Sequence, residues 1–217
     1  MGHCQNGWHP RWLATSLILL VCSLFPAPVM AARLLILGDS LSAAHGIPQS
    51  RSWVLEVTKR SEKHSPPMEI INASISGETT GGGLRRLPAL LETHQPDLVL
   101  IELGANDGLR GFPPAMTERN LDQMLTLIRQ AGAQPILMQI RLPETYGRRY
   151  LDLFEGMYPR LAARHQVPLI PFLLEPLAGR PDLFQSDGLH PVAEAQPLIA
   201  DFVWQHLQKP LQHLSRN

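Results

Sequence analysis

The sequence predicts an open, doubly wound α/β fold, in which helices cover both faces of a parallel sheet. Five short apolar runs are continuous rather than alternating, which is typical of strands that are buried on both faces. The segments between these runs carry apolar residues at helical spacing, so strand and helix alternate along the chain. We find no internal repeat and no low-complexity tract, which favours one domain.

The predicted elements follow one another in chain order. The strands are expected at residues 33–37, 69–73, 97–103, 135–140 and 167–172. Helical stripes lie between or after them, and they comprise Leu84, Leu87 and Leu91; Leu121, Leu125 and Ile128; Leu151, Phe154, Tyr158 and Leu161; and Ile199, Phe202, Val203 and His206. Gly132 marks a helix end, and the glycines at 81–83 are expected to delay the first of these helices.

Residues 1–31 are typical of an export signal rather than of a folded segment. Arg11 supplies a positive flank, an apolar stretch covers residues 13–25, and Ala31 stands at a suitable cleavage site. The stretch is shorter than the ~20 apolar residues that span a bilayer, which disfavours an uncleaved anchor. A lipid anchor on Cys22 is disfavoured because Val21 precedes it. We therefore expect a domain at 32–217 that is periplasmic or secreted.

Composition excludes several classes of function. The 19 Lys and Arg residues balance 19 Asp and Glu residues, so the surface has no electrostatic reason to prefer nucleic acid or anionic membranes. Both cysteines, Cys4 and Cys22, lie in the predicted signal. The domain would therefore have no disulfide, no thiolate nucleophile and no cysteine metal site. We expect a monomer without stable membrane insertion.

A nucleophile is predicted at the end of the first strand. The segment 38–42 reads Gly-Asp-Ser-Leu-Ser, which places the Ser40 hydroxyl at the carboxyl edge of the sheet, beside the amino end of the next helix. Serine needs a base and an orienting acid, and His190 and Asp187 stand three residues apart near the end of the chain. Pro191 favours a rigid loop at His190. These residues predict a serine hydrolase.

Other acids and bases are assigned structural positions. Asp39 is the competing acid, but its place between strand and helix suits a cap of the following helix. The remaining histidines of the domain, His45 among them, have no acid in the same relation and are expected as ordinary surface or core residues.

Three loops are expected to meet at the nucleophile if the strand order is 2-1-3-4-5, because ligands bind outside the carboxyl ends of such strands. Candidate donors to a developing oxyanion are the backbone N–H groups of Ser40 and Gly77 and the side-chain amide of Asn106. The segment 108–114 follows directly, so Leu109, Arg110 and Phe112 are candidate substrate contacts on a glycine-hinged lid.

Two other segments resemble known functional motifs but do not match them. The glycine-rich segment 77–83 lacks the Lys-Ser/Thr ending of a nucleotide-binding loop, and Glu78 would repel phosphate. The segment 38–42 does not match the G-x-S-x-G elbow of α/β-hydrolases.

The four blocks together resemble the SGNH, or GDSL, hydrolase family; they are residues 38–42, Gly77, 104–107 and 187–190. The flanking segments 72–77, 106–112 and 138–143 resemble its bacterial periplasmic thioesterase I branch, whose members are also called arylesterases, lysophospholipases and protease I. The resemblance covers essentially the whole of 32–217. Many relatives have glycine where Ala105 stands.

The resemblance implies a flavodoxin-like three-layer fold, a Ser40–His190–Asp187 triad and oxyanion donors at Ser40, Gly77 and Asn106. It implies no cofactor or metal, and small acyl or aryl esters and thioesters as substrates. Two alternatives stay open at this point. One is a carbohydrate O-deacetylase with the same triad. The other is a non-catalytic, flavin-type binding protein, which would have no use for Asp187 and His190.

Overall fold

The computed structural model describes residues 1–3, 31–63 and 67–214, and side chains as far as residue 211. The chain divides into a unit Met1–Met30 and a unit Ala31–Asn217, and the fold described below is that of the second. The predicted export signal therefore lies almost entirely outside the described residues.

Strands and helices alternate through this unit as the sequence predicts. The strands are β1 (Ala32–Gly38), β2 (Met68–Asn72), β3 (Leu98–Glu102), β4 (Gln134–Met138) and β5 (Leu169–Ile170). The α-helices are α1 (Trp53–Ser61), α2 (Thr80–His94), α3 (Ala105–Leu109), α4 (Pro114–Gln130), α5 (Arg148–His165) and α6 (Gln196–Leu214). Short 3-10 helices lie in the connections, at Gln49–Arg51, Glu144–Tyr146, Glu175–Leu177, Pro181–Leu183 and Ala193–Ala195.

The strands form one parallel sheet in the order β2-β1-β3-β4-β5. The order reverses at β1, whose Leu34 lies opposite Ile70 of β2 and Leu98 of β3. The predicted order is confirmed. It places the loops after β1, β2 and β3 side by side at the carboxyl edge of the sheet.

Both faces of the sheet are covered, which gives the expected three layers. Leu34 and Ile36 of β1 pack with α1 and α6, whereas Leu35 and Leu37 pack on the other face with α2, α4 and α5. All four side chains are fully buried. The apolar run is continuous because alternate side chains enter two separate cores. None of the helices in the described ranges has the length and apolar character needed to cross a membrane.

The fifth strand and α2 differ from their predicted form. The fifth strand shrinks from six residues to two, because Pro168 and Pro171 flank it and proline cannot donate to the ladder. The glycines at 81–83 do not delay α2, which begins at Thr80. A Cβ on Gly83 would lie 2.4 Å from Leu103 Cδ1, so glycine lets the first turn of this helix approach the end of β3.

Candidate active site

The end of β1 is shaped by a close approach from β3. A Cβ on Gly38 would lie 2.7 Å from Glu102 Oε2 and 2.9 Å from Ser42 Oγ, so only glycine fits without displacing these atoms. Glu102 is the last residue of β3 and is fully buried. Position 38, the first of the Gly-Asp-Ser motif, therefore requires glycine because the Glu102 carboxyl group packs against it.

Ser40 lies in a tight turn rather than beside a helix. Asp39 Oδ1 accepts the N–H of Leu41 at 3.1 Å, and the N–H of Ala43 donates to the carbonyl oxygen of Asp39 at 2.9 Å. The predicted helix does not follow, because Ala44 has φ 58° and Gly46 has φ 72°, and both values break a right-handed helix. The prediction that Asp39 caps the following helix was wrong, since α1 begins at Trp53.

The structure brings together the three residues predicted as nucleophile, base and acid. His190 Nε2 lies 2.8 Å from Ser40 Oγ, and His190 Nδ1 lies 2.7 Å from Asp187 Oδ2. Ser40 and His190 are half-buried, whereas Asp187 is exposed. The distances allow the imidazole to accept the serine proton while its other nitrogen donates to a carboxylate.

Asp187 is held by its own loop. Its Oδ1 accepts the backbone N–H groups of Leu189 at 2.9 Å and His190 at 3.0 Å. The N–H and the imidazole of His190, together with the N–H of Leu189, keep the pKa of the Asp187 carboxyl below its usual range. Gly188 has φ 67°, the left-handed conformation that lets this short loop fold back on itself. Asp187 is therefore ionised and can accept a hydrogen bond from His190 Nδ1.

Two residues that the sequence analysis did not select lie against the imidazole of His190 or brace its loop. The exposed ring of His45 lies with its centroid 4.3 Å from the centroid of the His190 ring. Gln185 Nε2 donates to the carbonyl oxygens of His45, at 2.8 Å, and Pro191, at 3.2 Å, so it ties the nucleophile loop to the histidine loop. No spacing in the sequence marks either contact, because both depend on how two distant loops meet.

Asn106 reaches the same point from the end of β3. It is the second residue of α3, and its Nδ2 donates to Asp39 Oδ2 at 3.1 Å. Gly104 takes the positive φ in this loop, at 125°, and Ala105 is an ordinary helical residue. Alanine in place of glycine at position 105 therefore causes no backbone strain.

Gly77 lies on the loop after β2. Its φ is 78°, and the N–H of Ile75 donates to the carbonyl oxygen of Gly38 at 3.1 Å, which fixes this loop beside the end of β1. The carbonyl oxygen of Gly77 accepts Arg110 Nη2 at 3.1 Å. The three predicted loops thus meet at one edge of the sheet.

A pair of buried carboxyl groups lies beneath the nucleophile. Glu102 Oε2 accepts the Ser42 hydroxyl at 2.7 Å and the N–H of Asp39 at 3.3 Å. Burial, with the nearby Asp39 carboxyl, raises the pKa of Glu102 well above its usual range. Burial also raises the pKa of Asp39 to about 6, against the opposing effects of the Leu41 N–H, His190 and Asn106. Burial therefore makes both carboxyl groups harder to ionise than they would be in water.

An apolar cavity of about 110 Å³ opens beside Ser40 and is lined by Asn106, Leu109 and His190 among others. A larger cavity of about 650 Å³ adjoins it. The two share the lining residues Arg141, Leu142, Pro143, Phe172, Leu174 and Leu189. The two cavities are therefore neighbours that share these side chains.

The predicted lid residues take different positions. Leu109 lines the smaller cavity, but Arg110 and Phe112 do not line either one. Gly108 is not a free hinge, because it is buried in α3 and a Cβ there would lie 2.4 Å from Leu142. Two tyrosines hold the segment, since Tyr146 donates to the carbonyl oxygen of Leu109 and Tyr150 to that of Phe112.

The Ser–His–Asp arrangement at the edge of this sheet is typical of the class of serine hydrolases. Residues 36–196 match the model of the GDSL-like Lipase/Acylhydrolase family. The chain belongs to this family, as its resemblance predicts, and it is an enzyme of the hydrolase class.

Known relatives cover nearly the whole domain. The chain is 52% identical over 196 residues to an arylesterase of Vibrio mimicus, covering 90% of this chain and 98% of the relative. It is 47% identical to thioesterase 1/protease 1/lysophospholipase L1 of Escherichia coli K12, covering 94% and 95%. Among solved structures, the psychrotrophic esterase EstA of Pseudoalteromonas sp. superposes with a TM-score of 0.80 at 44% identity, covering 83% and 98%.

Proposed function

We propose that the chain is a serine esterase and thioesterase that acts through an acyl-enzyme on Ser40. The observation that carries this proposal is the 2.8 Å contact between Ser40 Oγ and His190 Nε2 at the mouth of an apolar cavity. The names of the relatives favour carboxylic esters, including aryl esters and lysophospholipids, and acyl thioesters as substrates. We extend the proposal to an export signal at 1–31, a domain at 32–217 and a location outside the cytoplasm.

The proposed reaction has two halves. Ser40 Oγ attacks the substrate carbonyl carbon while His190 Nε2 takes the hydroxyl proton, and the leaving alcohol or thiol then receives that proton. A water molecule, deprotonated by His190, attacks the acyl-enzyme; the bond from the acyl carbon to Ser40 Oγ breaks, His190 returns the proton to Oγ, and the acid is released. Asp187, already ionised and held by two backbone N–H groups, keeps the imidazole in the tautomer that accepts at Nε2 and stabilises the imidazolium.

The oxygen that becomes negative needs donors in place before the attack. We assign this role to the N–H groups of Ser40 and Gly77 and to the amide of Asn106. Asn106 lines the cavity with Ser40, and the loop of Gly77 is bonded to the end of β1, which supports the assignment. The three loops come from neighbouring strands, so the rigid sheet fixes their spacing.

A substrate panel tests the proposal. Wild-type enzyme should hydrolyse p-nitrophenyl esters from acetate to dodecanoate and also acyl-CoA, with kcat/KM rising beyond acetate because the apolar cavities bury additional methylenes. The same assays should include acetylated xylan. Release of acetate from the polysaccharide without turnover of longer esters would instead assign a deacetylase, and absence of turnover with every substrate would contradict a hydrolase.

Chain-length preference should depend on Leu109. Leu109→Ala removes apolar surface from the cavity wall, and a loss of about 1.4 kcal/mol of contact corresponds to about tenfold in kcat/KM. We therefore expect the ratio of kcat/KM for octanoate over acetate esters to fall about tenfold. Phe112→Ala is the matched comparison, because Phe112 lies outside the cavity lining. Equal profiles for wild type and Leu109→Ala would remove Leu109 from the acyl site.

A further inference from the structure

The proposed mechanism leaves one buried carboxyl group beside the nucleophile without a role. Asp39 is fully buried, directly precedes Ser40, and lies above the buried Glu102 carboxyl group, which accepts its N–H. Its two oxygens have separate partners. Oδ1 accepts the N–H of Leu41, and Oδ2 accepts the side-chain amide of Asn106. The first contact shapes the turn, whereas the second reaches another loop.

The second contact determines which end of the Asn106 amide faces the nucleophile turn. A carboxylate only accepts hydrogen bonds, whereas a carboxamide presents an oxygen at one end and an NH₂ at the other. In the structure the NH₂ end of Asn106 faces Asp39 Oδ2, so Asn106 is the donor and the carboxyl oxygen is the acceptor. One N–H goes to Asp39, and the second remains for an oxygen in the cavity that Asn106 lines together with Ser40.

The position of Asp39 is itself fixed from below. Glu102 Oε2 accepts the Asp39 N–H at 3.3 Å and the Ser42 hydroxyl at 2.7 Å, so the turn rests on a buried carboxyl group. Asn72 Nδ2 donates to the carbonyl oxygen of Ser42 at 2.9 Å and holds the other side of the same turn. A carboxylate fixed in this way can orient a neighbouring side chain without moving itself.

We propose that Asp39 is a positioning residue for the oxyanion site, which orients the Asn106 amide so that its free N–H faces the reacting carbonyl oxygen. The inference rests on the proposed function, because it gives Asp39 a role only through Asn106. The competing interpretation is that Asp39 serves the turn alone, through its contact with Leu41.

Asp39→Asn separates these two roles. The remaining side-chain oxygen can still accept the Leu41 N–H and keep the turn. Its NH₂ then faces the NH₂ of Asn106, and two donors cannot bond to each other. Asn106 must therefore turn over or move, and either change takes its N–H away from the oxyanion. Asp39→Ser is a second route, because its hydroxyl can serve Leu41 but is too short for Asn106.

A double-mutant cycle measures the coupling. Asn106→Ala alone should lower kcat by about 10²–10³, the usual cost of one oxyanion donor, with little change in KM or Tm. Asp39→Asn alone should lower kcat by an amount of that order, also with KM nearly unchanged. In the Asn106→Ala background, Asp39→Asn should cost at most about threefold more, because its partner is already absent.

The matched control is Asp97→Asn. Asp97 also accepts a backbone N–H with its carboxylate, from Arg33 at 2.7 Å, but it does so at the opposite end of β1. Its substitution should leave kcat unchanged; because Asp97 is exposed whereas Asp39 is buried, it controls for the effect on kcat and not for the effect on Tm.

The outcomes are distinct. Losses that multiply in the double variant, to about 10⁴ or more, would overturn the positioning role and leave the proposed function intact. If neither Asp39→Asn nor Asp39→Ser folds, as judged by circular dichroism, Asp39 belongs to the fold rather than to the site and the inference is rejected. A folded wild type without esterase activity would overturn both proposals, and that result is read before any variant is made.

Discussion

Ser40→Ala is expected to abolish turnover of every ester in the panel while the protein stays folded. Without the hydroxyl no acyl-enzyme can form, and removal of such a nucleophile costs on the order of 10⁴–10⁶ in kcat. The change should have little effect on Tm, because Ser40 is half-buried and its hydroxyl contacts His190 rather than the core. Titration calorimetry with a slowly hydrolysed ester should still detect binding.

A fluorophosphonate probe supplies an independent measurement. It should label wild-type protein on Ser40, as read by peptide mass spectrometry, and Ser40→Ala should take no label. Ser42→Ala is the matched serine variant, since Ser42 lies two residues away but is fully buried and donates to Glu102. It should still be labelled at Ser40. Labelling of Ser42, or of Ser76 directly before Gly77, in the wild type would assign the nucleophile elsewhere.

Much of the fold could be predicted from the sequence because it depends on local pattern. The continuous apolar runs require two covered faces, and a parallel sheet with alternating helices satisfies them. The predictions were wrong where single residues determine the local backbone conformation. Pro168 and Pro171 shorten β5, and the left-handed Ala44 and Gly46 replace a helix with a turn after Ser40.

The predicted site residues were found by chemistry and order along the chain, and the structure brings Ser40, Asp187 and His190 into contact. The sequence analysis did not predict the buried carboxyl group of Glu102 beneath these residues. Glu102 is a single acid at the end of an apolar strand, and that position alone could have marked it as a buried carboxyl group beside the site. Its contacts could not be predicted, since they depend on how closely β1 and β3 approach at Gly38.

The other large effect is expected from Asp187→Asn, which should lower kcat by about 10³–10⁴. The amide is nearly isosteric, but it can present an oxygen or an NH₂ to His190 Nδ1, and the wrong tautomer of the imidazole then carries its proton at Nε2, towards Ser40. His190→Ala should lose at least as much. The control is Asp182→Asn, because Asp182 is an exposed acid in the same part of the chain that pairs with Arg180 instead.

The pH dependence of Tm tests whether the Asp187 carboxylate stabilises the folded protein. The pKa of Asp187 is lowered in the folded protein, so folding favours its ionised form. The resulting stabilisation is complete above the pKa of an unfolded aspartate, ~3.9, and is lost as the pH falls from there towards the lower folded value. Asp187→Asn should therefore have a lower Tm than wild type at pH 7, and the difference should shrink below about pH 4.

If the kcat of Asp187→Asn stayed within tenfold of wild type, the acid that orients His190 would have to be another carboxylate. Asp39 would be the first candidate, and its contact with Asn106 could not then be its main role in the site.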